Sequence, residues 1–312
     1  MRPQHISTGL LLVLTLGIWS GASQCAVFTD SLGRQVSVDR VPGRIVTLAP
    51  SLTEIVFFLG LGDRLVGVTE FSSYPPEASE KPKVGSYVNL NVEKIISLSP
   101  DLVIGTVDGN QASVVALLER AGVPVYIVNP RDIRQAIDTV VAVGELCGVR
   151  ELAATMAQGL SDRVDEIVSK TAGLEKPVVF LQVNLKPIMS VNRNTFLDDL
   201  IHLAGGVNMT RDEPMNYPRI SLEEVISRRP DVILVSSMAR GGGFARAKRQ
   251  WMRWTLIPAV QNGRVHLVDS DLIDRPSPRI IEGLEVVARL LHPDAQWTHP
   301  AIEGTPTGTV NQ

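Results

Sequence analysis

Cysteine and aromatic side chains are scarce here: the 312 residues hold two cysteines, and Phe, Trp and Tyr together make up 5%. A disulfide framework is therefore excluded, and stability must come from burial of apolar surface. The net charge is only −3, so no polybasic surface for nucleic acid or anionic lipid is expected. Catalytic signatures are also missing. No Gly-x-Ser-x-Gly elbow, dinucleotide fingerprint or Cys/His pairing stands out. Gly241-Gly242-Gly243 is not followed by the Gly-Lys-Ser/Thr of a phosphate loop and reads as a mobile turn. His202, His266 and His292 stand isolated, while His5 and His299 lie near the ends, so no metal-ligating cluster is legible.

Long hydrophobic runs are absent except at the start. Gly9 to Trp19 is uncharged and apolar, with Arg2 before it and Gly21, Ala22 and Ser23 after it. That order describes a secretory signal peptide over residues 1–25, and the run is short of the roughly 20 residues a membrane span needs. Ala22-Ser23-Gln24 is a poor lipobox, so lipid anchoring through Cys25 is not expected and the product is read as soluble and exported. About 290 residues then remain, more than one core usually holds, and two domains are the default.

What is present is an alternation of apolar runs and helical patterns. Arg44–Leu48, Leu65–Val68, Asp101–Ile104, Val123–Val128, Val178–Gln182, Asp231–Val235 and Arg264–Val268 are nearly continuous apolar runs, as strands of a parallel sheet covered on both faces must be. The class is α/β. Between the two sets, Leu152, Met156, Leu160, Val164 and Ile167 form one stripe, which predicts a single helix over 149–173, roughly 35 Å long at 1.5 Å per residue. The lobes are assigned to 27–148 and 174–295, with 296–312 as a disordered tail. A Gly/Ser/Pro-rich hinge is missing, so the connection is stiff.

An internal repeat supports two related lobes. Val92-Glu93-Lys94-Ile95-Ile96-Ser97 through Pro100-Asp101-Leu102-Val103-Ile104 aligns with Leu222-Glu223-Glu224-Val225-Ile226-Ser227 through Pro230-Asp231-Val232-Ile233-Leu234. Ser51-Leu52-Thr53-Glu54 through Gly62 aligns with Thr195-Phe196-Leu197-Asp198 through Gly206. Two Rossmann-like lobes on one rigid helix leave a cleft, and ligands in such sheets bind beyond the carboxyl ends of the strands. Ser51–Glu54 and Ser221–Glu224 read as capping boxes that start helices.

Several motifs occur in a family order: Thr29-Asp30-Ser31-Leu32-Gly33-Arg34, Pro42-Gly43-Arg44 through Ala49-Pro50-Ser51-Leu52-Thr53-Glu54, Val66-Gly67-Val68-Thr69 and Tyr74-Pro75-Pro76. Over residues 28–293 the chain resembles the helical-backbone periplasmic binding proteins, which serve ABC importers for vitamin B12, haem and iron–siderophores. Tyr217-Pro218-Arg219-Ile220-Ser221 and Asp269 through Ile280 lean towards the vitamin-B12 members. The resemblance implies a monomeric, non-catalytic, cofactor-free periplasmic receptor that takes a corrinoid in its cleft and hands it to a membrane permease and ATPase. An iron–siderophore or haem receptor, with Tyr87 or Tyr217 as a haem ligand, is the alternative within the family, and an enzyme on a doubly wound fold the alternative outside it.

Residue by residue, the resemblance implies that Phe71, Tyr87 and Tyr217 lay flat faces against a macrocycle, and that Asp271 and Arg275 meet its polar groups. Asp271 and Arg275 also read as a mutual surface ion pair, and any one of the aromatics as core. Thr106 and Met189 fall where the family has large aromatics, which implies a wider pocket, with Trp251 and Trp254 as possible compensation or as packing. Glu93 and Glu223 occupy equivalent repeat positions and match the glutamates that dock on permease arginines; otherwise they are solvated helix-surface residues. Arg240, Arg246, Lys248, Arg249 and Arg253 read as a basic patch or a solvated helix face.

Overall fold

The computed structural model describes residues 26–236 and 243–297. The expected leader with Cys25, the Gly241–Gly242 turn with Arg240, and everything after residue 297 lie outside the described residues.

The chain opens with an antiparallel hairpin, β1 (Ala26–Thr29) and β2 (Gln35–Val38). Four strands follow, β3 (Ile45–Thr47), β4 (Leu65–Gly67), β5 (Leu102–Thr106) and β6 (Val125–Val128), in a parallel sheet of order β4-β3-β5-β6. After the helix Arg150–Thr171 come β7 (Val178–Gln182), β8 (Val207–Asn208), β9 (Val232–Val235) and β10 (Val265–Leu267). Their order, β8-β7-β9-β10, is also parallel and repeats the first sheet strand for strand. The internal repeat is thus a repeat of topology.

The Pro-Asp pair shared by the two halves has a structural reason. Ser99 and Arg229, the residues before each proline, take left-handed backbone angles of φ 46° and 52°, which end the preceding helix and turn the chain into the sheet. The aspartate then caps the entry of the neighbouring strand. Asp101 accepts from the Gly43 and Arg44 amides at 3.0 Å each, and Asp231 accepts from the Val178 amide at 2.8 Å.

Both faces of the central strands are buried, which is why their sequence is continuously apolar. On one face Val46, Leu48, Val103 and Ile127 form an outer core in the first lobe, as Phe180, Ile233 and Val235 do in the second. On the other face Ile45, Leu102, Leu181 and Leu234 belong to one core that runs through both lobes. The helices Ile133–Leu146, Arg150–Thr171, Phe196–Leu203 and Ile280–Leu291 all contribute to it. The connecting helix is packed into this shared core along its buried stripe.

Three expectations need correction. The buried stripe of the long helix is Ala153, Ala157, Leu160, Val164 and Ile167; Leu152 is 48% exposed, since only the small alanines fit against Ile133–Leu146. Trp297 is not part of a disordered tail: its Nε1 donates to the His292 carbonyl at 3.2 Å, and the Arg289 guanidinium lies 5.0 Å from its ring centre. Ser51–Glu54 is not a capping box. Pro50 occupies the first helical turn with Ala49 as N-cap, so Ser51 and Glu54 lie inside the helix and are both buried. Ser221, by contrast, does cap its helix by accepting from the Glu224 amide.

Candidate ligand-binding cleft

The carboxyl ends of both sheets open onto one cavity of about 1090 Å³ between the lobes. Its first wall is built by the segments after β3, β4, β5 and β6, and its second by those after β7 and β10 together with the Tyr217 loop. Phe71, Tyr87, Tyr217, Asp271 and Arg275 all line it, and so do Thr106 and Met189. Trp251 does not. It is buried in the second lobe, with its ring edge-on to Phe180 at 5.7 Å and its Nε1 donating to Gln182 at 2.7 Å. Trp254 lies at the surface, 39% exposed, and is not among the cavity-lining residues.

Each aromatic is held by polar contacts beneath it. Phe71, 46% exposed, precedes Ser72, whose hydroxyl sits in a buried chain with Thr47, Thr53 and Thr69 at 2.7–2.9 Å. Tyr87 packs beside Gly109, where φ is +96° and a Cβ would come within 1.9 Å of the ring. Asn110 ties this corner together: its Oδ1 accepts from the Thr106 amide at 2.8 Å, and its Nδ2 donates to the carbonyls of Leu48 and Tyr87. Gly109 and Asn110 were missed in the sequence; the signal available was a Gly-Asn pair after a buried strand. The Tyr217 loop is clamped on both sides, because the Ser190 and Asn192 amides donate to the carbonyls of Pro218 and Asn216 at 3.0 Å.

The electrostatics are predominantly negative. Among the described residues, Asp108, Asp269, Asp271 and Asp274 face the cavity against one cation, Arg275. Asp108 is engaged by Arg131 at 2.9 and 3.2 Å. Arg275 is more than the partner of a surface pair. One guanidinium nitrogen meets Asp271 at 2.7 Å, while another donates to Glu54 of the opposite lobe at 3.0 Å, and the residue is only 8% exposed. Burial pushes the Glu54 carboxyl above its ordinary range, opposed by hydrogen bonds from Ser277 and Arg275. Asp274 accepts from the Ser236 hydroxyl at 2.8 Å through Oδ2, but its Oδ1 is sealed from solvent with no partner. Burial, with Asp271 and Asp269 nearby, raises its pKa to about 7. Tyr87 and Tyr217 are both pushed up, by burial first and then by the charge of Asp108.

Among the described residues no His/Cys/Asp/Glu group is arranged to hold a metal ion, and the cavity wall contains no His or Cys. Glu93 and Glu223 do not line this cavity; each is exposed at the second position of its helix, one on each lobe.

Residues 45–272 match the periplasmic binding protein family. The vitamin B12-binding protein of Vibrio cholerae is 32% identical over 249 residues, covering 80% of this chain and 88% of that protein. An uncharacterized ABC transporter substrate-binding lipoprotein of Bacillus subtilis is 33% identical, covering 85% of each. Among solved structures, the periplasmic vitamin B12 binding protein of Vibrio cholerae superposes with a TM-score of 0.72 at 32% identity, over 80% of this chain and 97% of that one. The apo periplasmic heme-binding protein of Roseiflexus sp. RS-1 gives 0.73 at 27% identity, over 81% and 99%.

Proposed function

The chain belongs to the periplasmic binding protein family, and on that premise we propose that it is the receptor that captures a corrinoid for an ABC importer. The coarser part of that statement, a substrate-binding protein of the vitamin B12, haem and iron importer type, follows from the family and its relatives. The choice of ligand rests on one observation: a cavity of about 1090 Å³ whose aromatic faces stand, among the described residues, beside four carboxylates and one already paired cation.

Aromatic faces bury a large flat ring at little entropic cost. Carboxylates suit the amide N–H groups around a corrin, and they repel the propionates of haem and the charge of an anionic siderophore complex. Haem iron would need an axial ligand. Tyr87 and Tyr217 are the candidates, yet burial and Asp108 disfavour the phenolate that binds ferric iron. Both features support the corrinoid over its two rivals.

In this reading Phe71, Tyr87 and Tyr217 stack on the ligand, Asp271 and Arg275 meet its polar groups, and no bond is made or broken. The shared core limits the lobes to a small movement. The loaded monomer, exported by its leader, then docks through Glu93 and Glu223, one charge for each half of a two-fold permease. Calorimetric titration of the purified protein with cyanocobalamin, haemin and a ferric siderophore tests the assignment. Binding of cyanocobalamin at micromolar Kd or tighter, roughly −8 kcal/mol, with neither of the others competing, is the expected result. Tight haemin or siderophore binding without cyanocobalamin binding overturns it.

A further inference from the structure

The lobes touch beside the cleft through two carboxylates, one on the first helix of each lobe. Glu54, on the helix Pro50–Phe58 of the first lobe, receives the Ser277 hydroxyl at 2.6 Å and Arg275 at 3.0 Å, just before the helix Ile280–Leu291 of the second. Asp199, on the helix Phe196–Leu203 of the second lobe, receives the Ile133 amide at 2.9 Å, at the start of the helix Ile133–Leu146 of the first. Each lobe's first helix thus sends an acid to the start of the other lobe's last helix. Outside each contact lies a further cavity, of about 620 Å³ beside Glu54 and about 480 Å³ beside Asp199. On the cleft side the lobes are therefore joined at points rather than along a continuous face.

The two points differ in one respect. The Asp199 contact ends on a backbone amide, whereas the Glu54 contact ends on Arg275, whose other arm holds Asp271 in the cavity wall. Tyr74 of the first lobe, its ring centre 3.9 Å from the Arg279 guanidinium, reinforces the same corner. We propose that Glu54 is an inter-lobe latch and positioning residue: it fixes the Arg275 guanidinium against the cleft, so that ligand retention and lobe apposition share one side chain. Glu54 itself does not line the cavity and acts only through Arg275. Its neighbours in this corner are Arg275, Ser277 and Arg279. The latch rests on the corrinoid reading only for the ligand used to probe it.

Two readouts test it. Spin labels at the exposed Leu117 and Leu256, 43% and 67% exposed on opposite lobes, report lobe separation in the full-length protein carrying Cys25→Ser, since the remaining Cys147 is buried. Glu54→Gln is expected to broaden a single narrow distance distribution towards longer values, with the milder Ser277→Ala in between. Cyanocobalamin release, measured by stopped flow, is expected to accelerate at least about tenfold in Glu54→Gln, in line with neutralising one partner of a buried pair. In an Arg275→Ala background the same substitution adds no further loss. An unchanged distance distribution, or an equal additional loss in both backgrounds, overturns the latch. A wild-type protein that ignores cyanocobalamin defeats the corrinoid reading alone, and the distance measurement then decides the latch.

Discussion

Asp274 offers the most direct test of the cleft's electrostatics. Its carboxyl rises from an ordinary 3.8 to about 7 because burial, aided by Asp271 and Asp269, disfavours the charge. Between those values the folded protein keeps a proton that the unfolded chain releases, so stability falls as pH climbs from about 4 to about 7 and is flat above. The full rise corresponds to about 4 kcal/mol at 1.36 kcal/mol per tenfold change in acidity. Relaxation of the site and entry of water reduce this, and about 2–4 kcal/mol is expected. Asp274→Asn removes the titration while keeping the shape. The comparison that matters is the change in unfolding free energy caused by the substitution, measured by urea denaturation at pH 4 and at pH 8. At pH 4 the variant still leaves a buried polar atom unpaired and gains nothing. By pH 8 it is expected to be more favourable, relative to wild type, by those 2–4 kcal/mol. The difference between the two pH values cancels every other titrating group that the substitution leaves alone. An equal effect at both pH values would refute the argument, because it would mean that the sealed Oδ1 carries no charge penalty.

Tyr217→Ala and Phe71→Ala should each weaken cyanocobalamin binding about 10- to 100-fold, as loss of an aromatic anchor does, with only small changes in urea midpoint because the two residues are half-buried, 37% and 46% exposed; calorimetry and denaturation together check this. Glu93→Lys with Glu223→Lys should leave ligand affinity unaltered while abolishing uptake into vesicles that hold the reconstituted importer, and normal uptake would remove both residues from docking. Trp251→Phe should cost about 1–3 kcal/mol of stability by leaving the buried side-chain Oε1 of Gln182 without its donor, with ligand affinity untouched; an altered affinity would place Trp251 nearer the cleft than its burial allows.

The strands were legible because a strand buried on both faces leaves an unbroken apolar run; β9 obeys that rule throughout, and β3, β5 and β7 obey it until their carboxyl ends, at Thr47, Thr106 and Gln182. The two-residue β8 is too short to leave one. Phe71, Tyr87, Tyr217, Asp271 and Arg275 could be placed on one cavity by likeness, but what holds them could not. Asn110, joining Leu48, Tyr87 and Thr106, acts through contacts between segments far apart in the chain, and no local pattern encodes such a tie. Glu54 is the instructive case. Ser51-Leu52-Thr53-Glu54 has the spacing of a capping box, yet Pro50 before it already carries the information that decides otherwise: proline favours the first helical position, which puts Ser51 two residues past the cap at Ala49. Its acid then had no local role left, and a buried acid with no local role must find a partner from another part of the fold.

That partner tells how the receptor can respond to its ligand without a flexible hinge. The long helix and the core running through both lobes leave little room for wide closure, so the response must come from the few contacts at the cleft side. Of the two carboxylate contacts there, the one through Glu54 extends to a side chain lining the cavity. If, as proposed, the ligand holds Arg275 and Asp271 in place, it strengthens the joint between the lobes, and a joint that loosens frees the ligand, since the coupling is reciprocal. Small-amplitude capture is what the proposed latch predicts: the movement needed is only that which makes or strains the bond between Arg275 and Glu54, while the shared core stays packed.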